Sequence, residues 1–460
     1  MSTVLCADIG TSSLKAALIT GTGESVAFSR RMFLRHYTAH AALEWLPALR
    51  DAAAELAAQQ QNGSIDTGDE VAAGNTIDAG DEVAAICISG NGPTLVAEDG
   101  TTLLWNAPVP AAGNETSTQT ALPPEAAHSL YIPRLLAFKR MFPAAWDHSP
   151  RILSGPEHLI WQLCGGTHTS ALTILPEARY AAAYWSSAAL AAAGIPEAGA
   201  KLAPFAAPAA RAGELCREAA GLLQSGGLQI PQGTPVYCGA PDFISALAGT
   251  NTLHPGAVCD RAGSSEGLNL CTANPVSMNG IRTLPSPVAP YWNASFLLPE
   301  SGTRFSAVKQ KAERLCGRQL EFAAFVRSCM ESGGSGTVFA EGWRLMQETA
   351  AQIKEGMRAL SAAAAASGTP APHSATVTGG QAANDAWNQM KADVTGMDIV
   401  VPACRDAELL GDAVFAFCGM GIFSSVSEGA ARLFRAAKTF RAGKAPCVHS
   451  PAEAPAGSGA

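Results

Sequence analysis

The chain has 460 residues with 31 basic and 39 acidic side chains, giving a formal net charge of -8. This length exceeds what one hydrophobic core usually serves, so we expect two domains. The acidic balance offers no broad cationic surface, which argues against nucleic acid or a membrane as a partner and favours a small molecule. We expect a cytoplasmic protein, because we find neither a membrane-spanning apolar run nor a signal peptide in the sequence.

The first predicted feature is a strand–turn–strand hairpin. Residues 4–9 and 14–19 are mostly apolar, and the polar turn between them carries Gly10, Thr11 and Ser12. Glycine allows backbone dihedrals that other residues avoid, and the amides and hydroxyls of such a turn can bind an anion. Alternatively, these residues only make the bend of an ordinary hairpin.

The next elements combine strands and a helix. Residues 25–28 predict a third strand, and apolar residues at helical spacing predict an amphipathic helix over residues 45–60. The segment 65–73 is nearly repeated at 77–85, and we interpret the first copy as an acidic surface insertion. The second copy leads into a strand over residues 84–89.

A predicted hairpin over residues 94–105 ends at Trp105, whose ring could lie against a sugar, although such a tryptophan is more often simply packed. Further on, a strand over 236–238 leads to Asp242 and a short helix that ends at Gly249. Aspartate is favoured as a helix N-cap, which is the alternative interpretation of Asp242.

The second half begins with a new hairpin at about residue 257. It contains a glycine-bearing turn over 262–267, long helices near 308–330 and 341–366, and a strand–turn–helix–strand unit over 375–401. Each glycine-bearing turn is commonplace by itself, but their combination is that of a nucleotide held by turns from two domains.

Taken together, these motifs resemble the FGGY family of carbohydrate kinases, within the actin-like ATPase superfamily. The residues that match the family's motifs are Asp8, Gly10, Thr11 and Lys15, then Gly239 and Asp242, then Gly263, Ser264 and Ser265, and finally Gly379, Gly380, Asn384, Trp387, Gln389, Ala392 and Asp393.

The resemblance implies an α/β fold with two actin-like, ribonuclease H-like domains. Each is expected to be a mixed five-stranded sheet flanked by helices, with an interdomain cleft. We place the domains at residues 1–254 and 255–440, and we expect residues 441–460 to be a disordered tail.

The implied activity is transfer of the γ-phosphate of ATP, with Mg²⁺, to a hydroxyl of a small sugar or polyol. The implied catalytic residue is Asp242, which would act as general base on the acceptor hydroxyl. The residues implied for nucleotide binding are Gly10, Thr11, Ser12, Lys15, Gly263, Ser264, Ser265, Gly379, Gly380, Gln381 and Asn384. Those implied for the acceptor are Gly90, Asn91, Trp105, Asp242 and Phe243, and those implied for the metal are Asp8 and Asp242.

The sequence also departs from the family pattern. The family's Asp-x-Arg element is missing after Trp105, and the segment after Gly336 is shorter than expected. One alternative is therefore an actin-like nucleotide-binding regulator that has lost sugar kinase activity. The sequence leaves open which sugar or polyol, and which hydroxyl, is the acceptor, and it also leaves a homodimer open.

A second alternative is a serine hydrolase. Residues 263–267 satisfy the Gly-x-Ser-x-Gly pattern with Ser265 as nucleophile, and His373 or His449 would be its base. That elbow requires a helix after the serine, whereas residues 268–272 predict a second strand, so the hydrolase is disfavoured.

Overall fold

The computed structural model describes residues 2–34, 38–62, 64–66, 71–73, 83–109, 126, 129–166, 184–206, 209–333, 337–444 and 447–448. The chain divides into two compact units. Unit 1 comprises Met1–Ser245 and Glu408–Leu433, and unit 2 comprises Ala246–Ala407 and Phe434–Ala460.

In chain order, the described strands are β1 (Thr3–Ile9), β2 (Ser13–Thr20), β3 (Ser25–Met32), β4 (Ser64–Asp66), β5 (Val71–Ala73), β6 (Val83–Gly90), β7 (Leu95–Ala97), β8 (Thr102–Leu103), β9 (Ile152–Leu153), β10 (Arg211–Glu214), β11 (Pro235–Pro241), β12 (Val258–Ala262), β13 (Glu266–Thr272), β14 (Arg282–Pro285), β15 (Trp292–Leu298), β16 (Ser374–Thr378), β17 (Asp398–Pro402), β18 (Ala436–Phe440) and β19 (Cys447–Val448). The described α-helices are α1 (Trp45–Asn62), α2 (Ile132–Met141), α3 (Pro143–His148), α4 (Gly155–Leu163), α5 (Ser187–Ala192), α6 (Ala198–Lys201), α7 (Arg217–Ser225), α8 (Asp242–Gly249), α9 (Ser301–Cys316), α10 (Phe322–Glu331), α11 (Val338–Ala366), α12 (Asp385–Thr395), α13 (Ala407–Gly419) and α14 (Val426–Leu433).

The main sheet of unit 1 has the strand order β10-β11-β6-β1-β2-β3. The first three strands of the chain form an antiparallel meander, and β1, β6 and β11 are parallel neighbours. All seven residues of β1 are buried, as expected for an apolar central strand that is covered on both faces. Helix α1 packs on this sheet through Trp45, Leu49, Ala53 and Leu56, which recur at helical spacing and are at most 1% exposed.

The main sheet of unit 2 has the order β14-β15-β13-β12-β16-β17-β18-β19. Here too an antiparallel set, β15-β13-β12, is followed by the parallel strands β16 and β17. Helices α9, α10, α11 and α12 share a hydrophobic core with this sheet, in which Phe325, Ile353 and Leu360 are buried. The two units therefore repeat one mixed α/β plan.

Several predictions of elements are confirmed. The meander, the helix after residue 45, the strand over 84–89 and the unit over 375–401 are present. Within the first copy of the near-repeat, β4 and β5 pair as a short hairpin. The remainder of the repeat, residues 67–70 and 74–82, lies outside the described residues.

Other predictions differ from the structure. The described sheets have six and eight strands instead of five, because β10, β14, β18 and β19 extend them. The single helix predicted over 308–330 is two helices, since α9 ends at Gly317, which has a left-handed φ of 66°. The predicted domain 255–440 includes Glu408–Leu433, a segment that belongs to unit 1.

The predicted disordered tail, 441–460, contains the short strand β19, and residues 445–446 and 449–460 lie outside the described part of the chain. Among the residues that the structure describes, no helix combines the length and apolar character needed to span a membrane.

Candidate functional site

Three neighbouring parallel strands bring two predicted carboxylates to one edge of the unit 1 sheet. Ile9 at the end of β1, Gly90 at the end of β6 and Pro241 at the end of β11 are register partners. Neighbouring strands lie about 5 Å apart, and parallel α/β sheets bind ligands outside the carboxyl ends of their strands. Asp8 and Asp242 directly flank this point, so the structure brings them to the same edge.

The first glycine-bearing turn is closed by a backbone hydrogen bond. The Gly10 amide donates to the Ser13 carbonyl oxygen at 2.9 Å, and Thr11 and Ser12 are half-buried. Trp105 reaches this turn, since its indole Nε1 donates to Thr11 Oγ1 at 2.8 Å. A residue predicted for the acceptor thus contacts a residue predicted for phosphate.

Asp8 and Lys15 are register partners in the antiparallel β1–β2 pair. Residues opposite each other in such a pair place their side chains on the same face of the sheet. Asp8 is 4% exposed, and Lys15 is half-buried. The Lys15 side chain, predicted to bind the nucleotide, therefore lies on the same face of the sheet as Asp8, the carboxylate predicted for the metal ion.

Asn91, which directly follows β6, has a buried amide with one hydrogen-bonding group to spare. It is 3% exposed, its backbone amide donates to the Ile9 carbonyl at 2.8 Å, and Thr94 Oγ1 donates to its Oδ1 at 2.5 Å. Within the described residues, Asn91 Nδ2 has no hydrogen-bond partner. A buried donor left unpaired costs about 1–3 kcal/mol, which a ligand oxygen at this position would offset.

Arg134, a residue that the sequence reasoning missed, fixes the loop around Trp105. From α2, its guanidinium donates to the carbonyl oxygens of Leu104 and of Ala107, the latter at 3.4 Å. Burial lowers the pKa of Arg134 to about 10. The loop lacks the family's Asp-x-Arg element, and an arginine from a separate helix holds its backbone instead.

Asp242 is the first residue of α8, and its Oδ1 accepts a hydrogen bond from the Phe243 amide at 2.7 Å. The carboxylate thus binds one amide at the amino end of the helix, but that amide belongs to the next residue, whereas an N-cap side chain accepts from an amide two or three residues further on. Both Asp242 and Phe243 are half-buried at the sheet edge. Because a carboxylate has two oxygens, this hydrogen bond does not exclude a role toward a substrate hydroxyl.

Asp412 is a second residue that the sequence reasoning missed. It lies on α13 and is fully buried, where Ser89 Oγ donates to its Oδ2 at 2.7 Å and Ser245 Oγ donates to its Oδ1 at 3.0 Å. Burial, aided by the charge of Asp8, raises the pKa of Asp412 well above its ordinary range, although the two serines favour the charged form. Asp412 thus links β6 to the helix that begins with Asp242. The signal in the sequence that could have identified Asp412 is a single aspartate within a mostly apolar helix.

In unit 2, two predicted nucleotide turns follow neighbouring parallel strands. Gly263–Ser265 follows β12, and Gly379 and Gly380 follow β16. Gly379 has a φ of 88°, and a Cβ at this position would overlap the Ala262 carbonyl group. Only glycine satisfies both requirements, and its presence lets the two turns contact each other.

The predicted adenosine motif is tied together by its own side chains. Asn384 caps α12 by accepting the Trp387 amide at 2.9 Å, and Trp387 Nε1 donates to Gln381 Oε1 at 2.6 Å. Asn388 Nδ2 donates to the Ala382 carbonyl at 2.8 Å. These bonds fix the turn before α12 to the first two turns of that helix.

A buried charged cluster lies on the strands and the helix next to the two turns of unit 2, and the sequence reasoning did not identify it. Lys391 Nζ donates to Asp260 Oδ2 at 2.6 Å and to Glu266 Oε1 at 2.7 Å, and all three side chains are 0% exposed. Burial raises the pKa of Glu266 to about 8, with a further contribution from the charge of Asp260. Burial opposes the charged form of Lys391, but the two carboxylates outweigh it and raise the pKa of Lys391. We call these three residues the buried triad.

The turn that contains Ser265 connects β12 to β13, which are antiparallel neighbours. A nucleophile elbow instead joins a strand to a helix. The prediction of a second strand over 268–272 is therefore confirmed, and the hydrolase alternative is not favoured. His449, one of its two candidate bases, lies outside the described residues.

Comparison with known proteins gives a family match in the second half of the chain. Residues 337–420 match the C-terminal domain of the FGGY family of carbohydrate kinases. An autoinducer-2 kinase of Escherichia coli is 40% identical over 68 residues, which is 15% of this chain and 13% of that protein. A Salmonella paratyphi B autoinducer-2 kinase is 37% identical over 93 residues, 20% of this chain and 17% of its own length. The matched stretches thus span a small part of these relatives.

Solved structures match over nearly the whole chain. Xylulose kinase from Lactobacillus acidophilus has a TM-score of 0.70 at 15% identity, covering 96% of this chain and 94% of that one. Plasmodium falciparum glycerol kinase with ADP has a TM-score of 0.71 at 15% identity, with the same coverage. At this identity the likeness shows the fold, and the family match lies within it. The chain therefore has the fold of these kinases and, over residues 337–420, matches the C-terminal domain of the FGGY family of carbohydrate kinases.

Proposed function

We propose that this protein is an ATP-dependent kinase that transfers the γ-phosphate to a hydroxyl of a small sugar or polyol, with Asp242 as general base. The observation that supports this most directly is the edge of the unit 1 sheet, where β1, β6 and β11 end together. It carries Asp8, Asn91 and Asp242, the residues expected to serve the metal ion, the acceptor and the proton transfer.

Each residue has a physical role in this proposal. Asp242 takes the proton of the acceptor hydroxyl as that oxygen attacks phosphorus. Asn91 donates its spare Nδ2 hydrogen bonds to an acceptor oxygen, and Trp105 offers an apolar face next to the Thr11 hydroxyl. Arg134 keeps the Trp105 loop in position through two carbonyl groups.

The remaining predicted residues bind the nucleotide. Main-chain amides and hydroxyls of Gly10, Thr11 and Ser12 in unit 1, and of Gly263–Ser265 in unit 2, contact phosphate. Lys15 adds a positive charge near the first turn, on the face that carries Asp8. The turn from Gly379 to Asn384 contacts the adenosine.

The residues at the sheet edge fit a magnesium ion carried by the nucleotide. Mg²⁺ in phosphoryl-transfer enzymes keeps several waters and uses one or two carboxylates together with the substrate's phosphates. Among the described residues no group of three or more His, Cys, Asp or Glu is placed to hold a metal ion. Asp8 and Asp242 would hold the hydrated ion, which neutralises charge on the phosphates.

The proposal is tested by acceptor-dependent release of ADP from ATP by the purified protein. The acceptor panel contains pentoses, hexoses, their ketoses, polyols and sugar acids, and includes xylulose, glycerol, gluconate and autoinducer-2. We expect turnover with at least one acceptor. Asp242→Asn should lower kcat by about 100- to 10,000-fold, which is the range for loss of a general base, while ATP still binds.

The matched control is Glu218→Gln. Glu218 is also an acidic residue in the first turn of a unit 1 helix, α7, but it is exposed and away from the sheet edge. Its kcat should equal that of the wild type. ATP binding without turnover on any acceptor would contradict the kinase and favour the nucleotide-binding regulator.

A further inference from the structure

The buried triad connects the two nucleotide turns of unit 2. Asp260 lies on β12 and Glu266 opens β13, so these two carboxylates belong to the strands on either side of the turn Gly263–Ser265. Lys391 lies on α12, whose amino end carries the adenosine turn. Two hydrogen bonds from one ammonium group therefore join the phosphate turn to the adenosine helix.

A chain of contacts continues from the triad to the adenosine turn. Lys391 Nζ lies 5.7 Å from the centre of the Trp387 ring, close enough for a cation–π contact. The same indole donates through Nε1 to Gln381 Oε1 at 2.6 Å. On the other side, Glu266 directly follows Ser265 in the chain. The path from Gln381 to Ser265 thus runs through described contacts without a gap.

The triad is a costly way to fill this space if stability is its only role. Each buried ion loses several kcal/mol of hydration, and well-packed apolar residues of the same volume often replace buried ion pairs at no loss of stability. The surroundings are already apolar, since Leu268, Ala382 and Ala392 belong to the core beside it. An ammonium group with two directed bonds, however, fixes spacing and orientation in a way that apolar contacts do not.

We propose that Lys391 is a positioning residue for nucleotide binding, which holds the turn Gly263–Ser265 at a fixed spacing from the turn Gly379–Asn384 through Asp260 and Glu266. This inference rests on the proposed function, because it takes ATP as the ligand. Lys391 does not touch the nucleotide in this account. It sets how well both turns engage one ligand at the same time.

The inference predicts a selective loss of affinity. Adenosine engages one turn, whereas ATP engages both, so disturbing their spacing should weaken ATP much more than adenosine. In catalysis, a displacement of about 1 Å in a group that must act together with others can lower the rate about 100-fold. By the same reasoning we expect the Kd of ATP to rise at least about tenfold in Lys391→Met. The Kd of adenosine should change by less than about twofold. The tenfold rise expected for ATP corresponds to a loss of about 1.4 kcal/mol in binding free energy.

A second variant distinguishes a role of Lys391 in positioning the turns from a role in stability alone, by neutralising the partners of Lys391 as well. In the triple variant Lys391→Met, Asp260→Asn, Glu266→Gln, the side-chain sizes are nearly kept and no uncompensated charge is buried. We expect its thermal midpoint to recover toward the wild-type value while its ATP Kd stays raised. Recovery of the midpoint and the ATP Kd together would overturn the inference, as would equal weakening of ATP and adenosine.

The measurements are the Kd values of ATP, ADP and adenosine by titration calorimetry, with the thermal midpoint of each variant recorded in parallel. If Lys391→Met does not fold, Glu266→Met, which removes the hydrogen-bond acceptor on β13 and keeps the Lys391–Asp260 bond, replaces it with the same expected direction. Failure of the wild type to bind ATP would overturn the proposed function and this inference with it. Normal ATP binding by the wild type and all variants would overturn the inference alone.

Discussion

Glu266 carries a carboxyl group into the core of unit 2, where burial raises its pKa to about 8 from an ordinary value of 4.5. Between these two values the folded chain holds a proton that the unfolded chain has released. That proton favours the folded state, and its contribution is complete below about pH 4.5 and is lost as the pH rises through about 8. Asp412 in unit 1, whose pKa is also raised by burial, acts in the same direction.

Glu266→Gln should therefore change how stability depends on pH. Between about pH 5 and pH 8 the thermal midpoint of the wild type should fall relative to that of the variant, because glutamine has no proton to lose. Scanning calorimetry of both proteins at several pH values measures this difference. Glu218→Gln, an exposed change, should run parallel to the wild type, and a constant offset between wild type and Glu266→Gln would contradict the prediction.

At the scale of elements, the meeting of β12, β16 and the 3₁₀ helix Gly380–Ala383 depends on a single glycine. Gly379 combines a φ of 88° with close approach to the Ala262 carbonyl group, whereas nothing lies within 4 Å of a Cβ placed on its neighbour Gly380. The two positions differ by one residue in sequence but differ completely in what a side chain would meet.

Gly379→Ala should destabilise unit 2, because the added Cβ both strains the backbone and pushes the turn away from β12. We expect a loss of roughly 1–3 kcal/mol and a fall of several degrees in the thermal midpoint. Gly380→Ala, measured for stability alone, should leave the midpoint close to the wild-type value. Equal midpoints for the two variants would show that the close approach has no energetic importance.

The elements themselves could largely be predicted from sequence. Alternating and helical patterns are local, so the meander, α1 and the strand after Ser265 were predictable from spacing alone. The break between α9 and α10 was not, since Gly317 looks like any tolerated glycine within a helical pattern.

The candidate site was predictable only in part, because its supporting residues are remote in sequence. The motif residues Asp8 and Asp242 stand out beside glycines in recognisable turns. Lys391 and Asp412 do not, since their partners lie more than 100 residues away in the sequence. A charged residue in an apolar helix indicates that some buried partner exists, but only the folded chain identifies it.

At the scale of the molecule, unit 1 is built from two separate segments of the chain. Helices α13 and α14 come from Glu408–Leu433 and complete a unit that otherwise ends at Ser245. Gly411 on α13 lies directly against the Ser245 carbonyl group, where a Cβ would overlap it. Asp412, the next residue, forms the two serine hydrogen bonds described above.

Gly411→Val should prevent α13 from docking in unit 1 and loosen that unit selectively. The expected result of limited proteolysis is faster cleavage within residues 1–245, with unit 2 cleaved at the wild-type rate. Gly221→Ala in α7 is the control, because nothing lies within 4 Å of a Cβ there and alanine suits a helix interior. Unchanged cleavage of Gly411→Val would mean that α13 is dispensable for unit 1.

The split origin of unit 1 has a consequence for synthesis on the ribosome. Domains generally fold as units while the nascent chain emerges at about 5–20 residues per second. When residues 1–245 have left the exit tunnel, the hydroxyls of Ser89 and Ser245 have not yet met Asp412 and still face water. The apolar surface that α13 later covers is also exposed. Helices α13 and α14 therefore reach unit 1 several seconds or more after its first segment, and until then the surface that they cover stays exposed to water.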